Sequence, residues 1–159
     1  MSKKRLSQTK KNIVFLGHMG SGKSTIGRGL SKKLGLDFYD TDKEIEKEMG
    51  QKIAKIFDES GESIFRNIER KITLKLLDKK NSIIALGGGG FEDLKIRKLI
   101  LNKCNSIWLK CDLNILEKRC RVSKKRPLLS NKNIKAEFER LNKIRQKNYS
   151  KAKFTIDVS

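Results

Sequence analysis

Cysteine and histidine are scarce in this chain: Cys104, Cys111, Cys120 and His18 are all that its 159 residues contain. The cysteines have no C-x-x-C spacing, which argues against a thiolate metal centre or a disulfide framework and suits a reducing cytoplasm. No apolar run approaches the roughly 20 residues that a membrane-spanning helix needs. The first eleven residues, MSKKRLSQTKK, are polar and basic and lack an apolar h-region, so they do not read as a secretory signal. A short disordered tail over 1–11 is expected instead. Aromatic residues make up only 6% of the chain, too few for the stacking platform that single-stranded nucleic acid uses. No internal repeat and no low-complexity linker divides the sequence, so a single domain over 1–159 is expected.

Positive charge is what the chain has in excess. Lys and Arg total 38 against 18 Asp and Glu, a formal charge of +20, which attracts anionic partners without choosing among them. The basic residues are spread along the whole chain, so most of them read as solvated surface. The 36% of hydrophobic residues is enough for one buried core at this length.

Read in order, short apolar runs alternate with helical spacing. NIVFL (12–16) reads as a strand buried on both faces and stops at Gly17. Ile26, Leu30 and Leu34 recur every four residues, and Gly35 closes that helix. LDFYDTD (36–42) reads as a strand ending in two acids, followed by helices over about 42–49 and 62–78. SIIALGGGG (82–90) is again a strand running into glycines. A helix near 93–102, the strand SIWLK (106–110), a helix opened by Asp112, a basic loop, a helix near 134–148 and the strand FTIDV (154–158) complete the series. This alternation predicts an α/β fold, a parallel sheet covered by helices on both faces. Ligands of such sheets bind beyond the carboxyl ends of the strands, where 17–24, 40–42 and 87–90 fall.

Gly17, Gly22, Lys23 and Ser24 fit G-x-x-x-x-G-K-[ST] immediately after a strand and at the start of a helix, the context that motif requires. Glycines there let backbone N–H groups close on phosphate oxygens, and the helix N-terminus adds its positive dipole end. Lys23 would reach the β- and γ-phosphates and the Ser24 hydroxyl would ligate Mg²⁺. The stretch reads as a cradle for a nucleoside triphosphate. No N-K-x-D base reader occurs and no long hydrophobic strand ends in a Walker-B acid, which favours a compact kinase over a GTPase or a motor.

The acceptor side has its own candidates. Asp40 and Asp42, two apart, could face the phosphates together, one toward a metal and one toward a hydroxyl; Asp42 could equally be the N-cap of the next helix. Arg66 and Glu69 lie on one side of a helix, as a surface pair or as a carboxylate-binding arginine held by its neighbour. The glycines at 87–90 offer bare backbone to a ligand, or a loose turn.

With these residues in hand the sequence resembles shikimate kinase from about Ile13 to Val158. GHMGSGKST, DTD, FRNIE, GGG, RPLL and RQKNY occur in the family's order and at its approximate spacings. The resemblance implies a three-layer P-loop kinase fold with a five-stranded parallel sheet, an acceptor-binding segment over 42–70 and a mobile lid over 121–131. It implies that Gly20, Ser21, Gly22, Lys23, Ser24 and Thr25 hold ATP, that Arg119 packs on the adenine, and that the lid residue Arg126 closes over the phosphates. It implies Mg²⁺ at Ser24 and Asp40, and shikimate at Asp42, Arg66, Gly87, Gly88, Gly89 and Arg145, the two arginines taking the carboxylate. The implied reaction is transfer of the γ-phosphoryl of ATP to the 3-hydroxyl of shikimate, in the chorismate route to aromatic amino acids. Lys23 and Arg126 would share the developing charge while Asp42 orients the attacking hydroxyl. The implied partners are ATP and shikimate alone, with no specific nucleic acid, no membrane and a monomeric state.

Three departures accompany the resemblance. His18 and Met19 stand where the family often has apolar or aromatic residues, and Gly90 stands where a small side chain is common. The chain ends at Ser159, just after the last strand, where a further helix and adenine-flanking loop are expected, so weaker adenine binding is expected. Two other readings stay open: the same scaffold acting on a gluconate-type polyol, and a nucleotide-binding regulatory module whose charge serves a nucleic acid.

Overall fold

The computed structural model describes residues 11–122 and 133–159. Most of the expected tail, and the expected lid beyond Val122 with Arg126, lie outside the described residues. Five strands and six α-helices alternate among the described residues: β1 (Ile13–Leu16), α1 (Lys23–Leu34), β2 (Asp37–Asp40), α2 (Thr41–Met49), α3 (Ile53–Leu77), β3 (Ser82–Ala85), α4 (Leu94–Lys103), β4 (Asn105–Lys110), α5 (Leu113–Val122), α6 (Ile134–Tyr149) and β5 (Phe154–Asp157). All the strand pairings are parallel, in the order β2-β3-β1-β4-β5.

Alternation along the strands divides the core into two layers. Val14, Leu16, Ile84 and Leu86 face one layer with Ile45, Phe65, Ile72, Ile96 and Ile100 from the covering helices. Phe15, Ile83 and Leu109 face the other, against Leu30, Leu36 and Phe38. β1 and β3 are thereby covered on both faces, the condition under which parallel strands read as continuous apolar runs. β5 is one of the two edge strands and keeps Phe154 and Ile156 about half exposed. Asn12 ties together the amino ends of the inner strands β1 and β3, accepting from the Ser82 N–H at 3.0 Å and donating to the Lys79 carbonyl at 2.7 Å.

The chain leaves β1 toward β2 and β3 on one side and returns later to β4 and β5 on the other. The carboxyl end of β1 is therefore a topological switch point, where open parallel sheets carry their crevice. Two expectations about elements need correction. β2 stops at Asp40, and Asp42 lies in the first turn of α2, because the Asp40 carboxylate accepts from the Asp42 and Lys43 N–H groups and caps that helix. The long helix α3 starts at Ile53 rather than near 62. Gly61, at φ 82 and ψ 171, breaks it into two pieces, and the first carries Ile53, Ile56 and Phe57 at the i, i+3, i+4 spacing of a short helix. Ile56 is buried and Phe57 stacks on Phe65 with ring centroids 4.5 Å apart. No helix among the described residues is long and apolar enough to cross a membrane.

Candidate active site

Phosphate chemistry starts where β1 ends. Gly20 and Gly22 take φ of 84° and 95°, left-handed values that a side chain would oppose, and so turn the chain sharply into α1. The start of α1, like that of α3, has no side-chain cap, unlike the starts of α2, α4 and α6. The side chains of Asp40, Asp93 and Asn133 cap α2, α4 and α6. α1 begins at Gly22 with no side-chain cap and no acid in its first turn. Its leading N–H groups are thus left for an anion. Lys23 is buried, and its ammonium donates to the carbonyls of Gly17 at 2.6 Å and His18 at 2.9 Å, which holds it inside the loop. An open cavity of about 430 Å³ adjoins the loop, lined by Gly20, Ser21, Gly22, Thr25, Arg119 and Val158. Arg119 belongs to α5 and reaches the loop by donating to the Gly20 carbonyl at 2.9 Å. Of the residues expected around a nucleotide, Gly20, Ser21, Gly22, Thr25 and Arg119 share this wall, and Arg126 lies outside the described residues.

Beside the loop, the Ser24 hydroxyl donates to the second oxygen of the Asp40 carboxylate, whose first oxygen caps α2. Asp40 thus ties the start of α1 to the start of α2. The Asp42 carboxyl is pushed up to about 6, chiefly by burial and then by the neighbouring charges of Asp40 and Glu69.

The glycines that follow β3 supply the next wall. A Cβ built on Gly87 would lie 2.7 Å from the Asp42 carboxylate, one on Gly88 would lie 2.9 Å from the Arg145 guanidinium, and one on Gly89 would lie 2.6 Å from that of Arg66. Each glycine is the floor under a different charged side chain. A side chain at any of the three would displace the group above it, so the run is a close approach and not a loose turn. Arg66 is fixed from below, donating to Glu69 at 2.8 Å. Glu69 is only 3% exposed, which settles the two readings of this pair: it is no surface bridge. Burial pushes the Glu69 carboxyl up while Arg66 pulls it back.

Two polar residues that hold this floor carried no role in the sequence reading. Thr41 is fully buried, and its hydroxyl accepts from the Gly87 N–H at 2.8 Å. Tyr149 is buried too, and its phenol donates to the Gly88 carbonyl. The signals were present: Thr41 is the middle residue of DTD, and Tyr149 stands one helical turn beyond Arg145. Asp40, Asp42, Arg66, Arg145, Lys23 and the three glycines thus meet at the carboxyl ends of β1, β2 and β3.

The chain is similar to proteins of a known family. The family model described as shikimate kinase matches residues 19–159. A shikimate kinase of Bartonella quintana (strain Toulouse) is 43% identical over 151 residues, covering 95% of this chain and 72% of that protein. One of Persephonella marina is 45% identical over 137 residues, covering 84% and 83%. The solved structure of a shikimate kinase from Acinetobacter baumannii in complex with shikimate superposes with a TM-score of 0.92 at 33% identity, covering 99% of this chain and 88% of that one. Family model, sequence identity and fold agree, and the chain belongs to the shikimate kinase family.

Proposed function

We propose that this chain uses ATP to phosphorylate the 3-hydroxyl of shikimate, a step toward aromatic amino acids, and that its residues divide the work as follows. The observation that carries the reading is the glycine floor, where Gly87, Gly88 and Gly89 lie directly beneath Asp42, Arg145 and Arg66. A small ring pressed onto that floor has two guanidiniums for a carboxylate and one carboxylate for its hydroxyls. Guanidinium suits the first task because it offers two parallel N–H donors.

On the donor side, the backbone of Gly20 to Gly22 and the uncapped start of α1 take the phosphates. Thr25 and Arg119 line the nucleotide side of the same cavity, with Arg119 against the adenine. Lys23 exchanges its two loop carbonyls for the β- and γ-phosphates. Phosphoryl transfer asks mainly for alignment and charge neutralisation, and Lys23 and Arg126 supply fixed positive charge where the transferred group becomes more negative. Asp42 holds the attacking hydroxyl in line; a loose transition state needs little help from a base.

The oxygens of Ser24 and Asp40 fit Mg²⁺. They are hard donors that already touch each other at the mouth of the phosphate loop, and two protein oxygens suit an ion that keeps waters and shares substrate phosphates. When bound, Mg²⁺ supplies charge neutralisation at the β- and γ-phosphate oxygens. Every group named belongs to one chain, so a monomer suffices, and a cytoplasmic location suits both substrates.

ADP release from Mg·ATP, measured with shikimate, with gluconate and with buffer alone, tests the reading. Stimulation by shikimate only is expected. Equal stimulation by gluconate, or none by shikimate while ATP still binds, would overturn it.

A further inference from the structure

Phosphates are held by the loop's backbone, which leaves the side chain of His18 without a part in donor binding. It is buried all the same, 4% exposed. Its Nε2 lies 3.1 Å from the Asn142 side-chain oxygen on α6. Asn142 uses its amide nitrogen to donate to Gln146 at 3.2 Å, so its oxygen faces the imidazole and Nε2 carries the proton. The ring stands edge-on to Tyr149, with centroids 5.3 Å apart, and to Phe138 at 6.0 Å. The charges that face it are Arg145 on α6 and Lys23 on α1; with burial, which acts most strongly, they hold the imidazole neutral. Met19 follows it onto α5 and α6, packing against Leu116, Cys120 and Phe138.

Phe138, Asn142, Arg145 and Tyr149 are spaced four, three and four apart and therefore share one face of α6. The same face reaches the acceptor floor, since Arg145 lies over Gly88 and Tyr149 donates to the Gly88 carbonyl. The phosphate loop thus meets the acceptor helix through the neutral ring of His18, with Met19 packed beside it against Phe138.

We infer that His18 is a positioning residue: bonded to Asn142 and wedged against Tyr149, it sets the distance between the phosphate loop and α6 that aims Arg145 at the acceptor carboxylate. The inference rests on the proposed function and adds to it a coupling between the two halves of the site. A leucine at 18 would fill the space but cannot donate to Asn142. A glutamine has an N–H at about the reach of Nε2 and can.

Steady-state constants for both substrates, with thermal melts, test it in His18→Leu, His18→Gln, Asn142→Leu and the double leucine variant. The loss of one hydrogen bond corresponds to about a tenfold change. His18→Leu and Asn142→Leu are each expected to raise the shikimate KM about tenfold and leave the ATP KM within twofold. His18→Gln should recover most of the loss, and the double variant should be no worse than either single one, because both remove the same contact. The inference is overturned if the shikimate KM stays within twofold of wild type in both single variants, if both KM values rise together, or if glutamine rescues nothing. A variant that fails to fold leaves Asn142→Leu, on a half-buried helix position, to decide. A wild-type chain inactive toward shikimate removes the functional reading and this inference together, whereas an active chain with unaltered variants removes only the inference.

Discussion

The phosphate loop and the acceptor floor sit side by side at the carboxyl ends of adjacent strands, yet they are built from different materials. The loop is a contiguous run from Gly17 to Thr25 that binds through backbone N–H groups and one lysine. The floor is bare backbone, and its chemistry comes from side chains on α2, α3 and α6, which lie far apart in the chain. A backbone-made site recognises any polyphosphate and is shared by many enzymes. A site made of Asp42, Arg66 and Arg145, as proposed, would recognise one shape of acceptor. The difference teaches where specificity resides, and it means that donor and acceptor binding can be damaged separately.

The largest separate effect is expected on the donor side. Lys23→Met removes the charge that faces the transferred group, and the loss of one such preorganised contact costs about 10²–10³ in kcat. Shikimate affinity, measured by direct titration, should stay within twofold; parallel loss of both would erase the contrast between the halves.

Gly89→Ala comes next, on the acceptor side. The new Cβ would meet the Arg66 guanidinium at 2.6 Å, and Gly89 has the ordinary right-handed backbone of φ −93 and ψ −6. The guanidinium yields and the backbone does not, so the melting temperature should hardly move. The shikimate KM should rise on the order of tenfold, as for one lost charge-assisted contact, with the ATP KM unchanged.

Thr41→Val sharpens the comparison through stability. It leaves the buried Gly87 N–H without its acceptor, a cost of about 1–3 kcal/mol, read as a lower midpoint in urea together with a raised shikimate KM. The smallest effect at neutral pH comes from acid. The His18 imidazole is lowered from 6.5 to about 4 in the fold, mainly by burial. The unfolded chain therefore binds the proton first as pH falls. The stability tied to this ring is complete above about pH 6.5 and is lost as pH drops from there through 4, a change of roughly 3 kcal/mol at most. His18→Leu should abolish that part of the acid loss, and the difference between the two unfolding profiles isolates it from Asp42, whose raised carboxyl acts in the opposite direction.

The same contrast explains what the sequence disclosed. The phosphate loop was legible because its parts are adjacent: strand, glycines, lysine, serine and helix follow one another in the chain. The parallel sheet was legible because β1 and β3 are buried on both faces and read as unbroken apolar runs. On the acceptor side Asp42, Arg66 and the glycines stood out from the residues themselves, but Arg145, and the joining of all of them into one site, came only through resemblance to a family, because no local rule says that Asp42, Arg66 and Arg145 will meet over 87–89. The supporting residues were marked only by their neighbours, Thr41 inside DTD and Tyr149 one turn beyond Arg145, and their bonding partners were not marked at all. Thr41 holds a backbone group 46 residues away and Tyr149 one 61 residues away, and a hydroxyl's partner across such a span leaves no periodic trace. At the end of β2 the cap was offered to Asp42 as one of its readings, but Asp40, the carboxylate nearest the strand, takes it, which leaves Asp42 to the cleft.

The most direct test of the account is to measure the dissociation constants of ATP and shikimate in Arg66→Ala beside wild type. If side chains on the glycine floor define the acceptor, ATP should bind within twofold of wild type while shikimate binding falls by a hundredfold or more, the order expected when a charge-assisted pair is lost. Unchanged shikimate binding, or an equal weakening of both ligands, would contradict it.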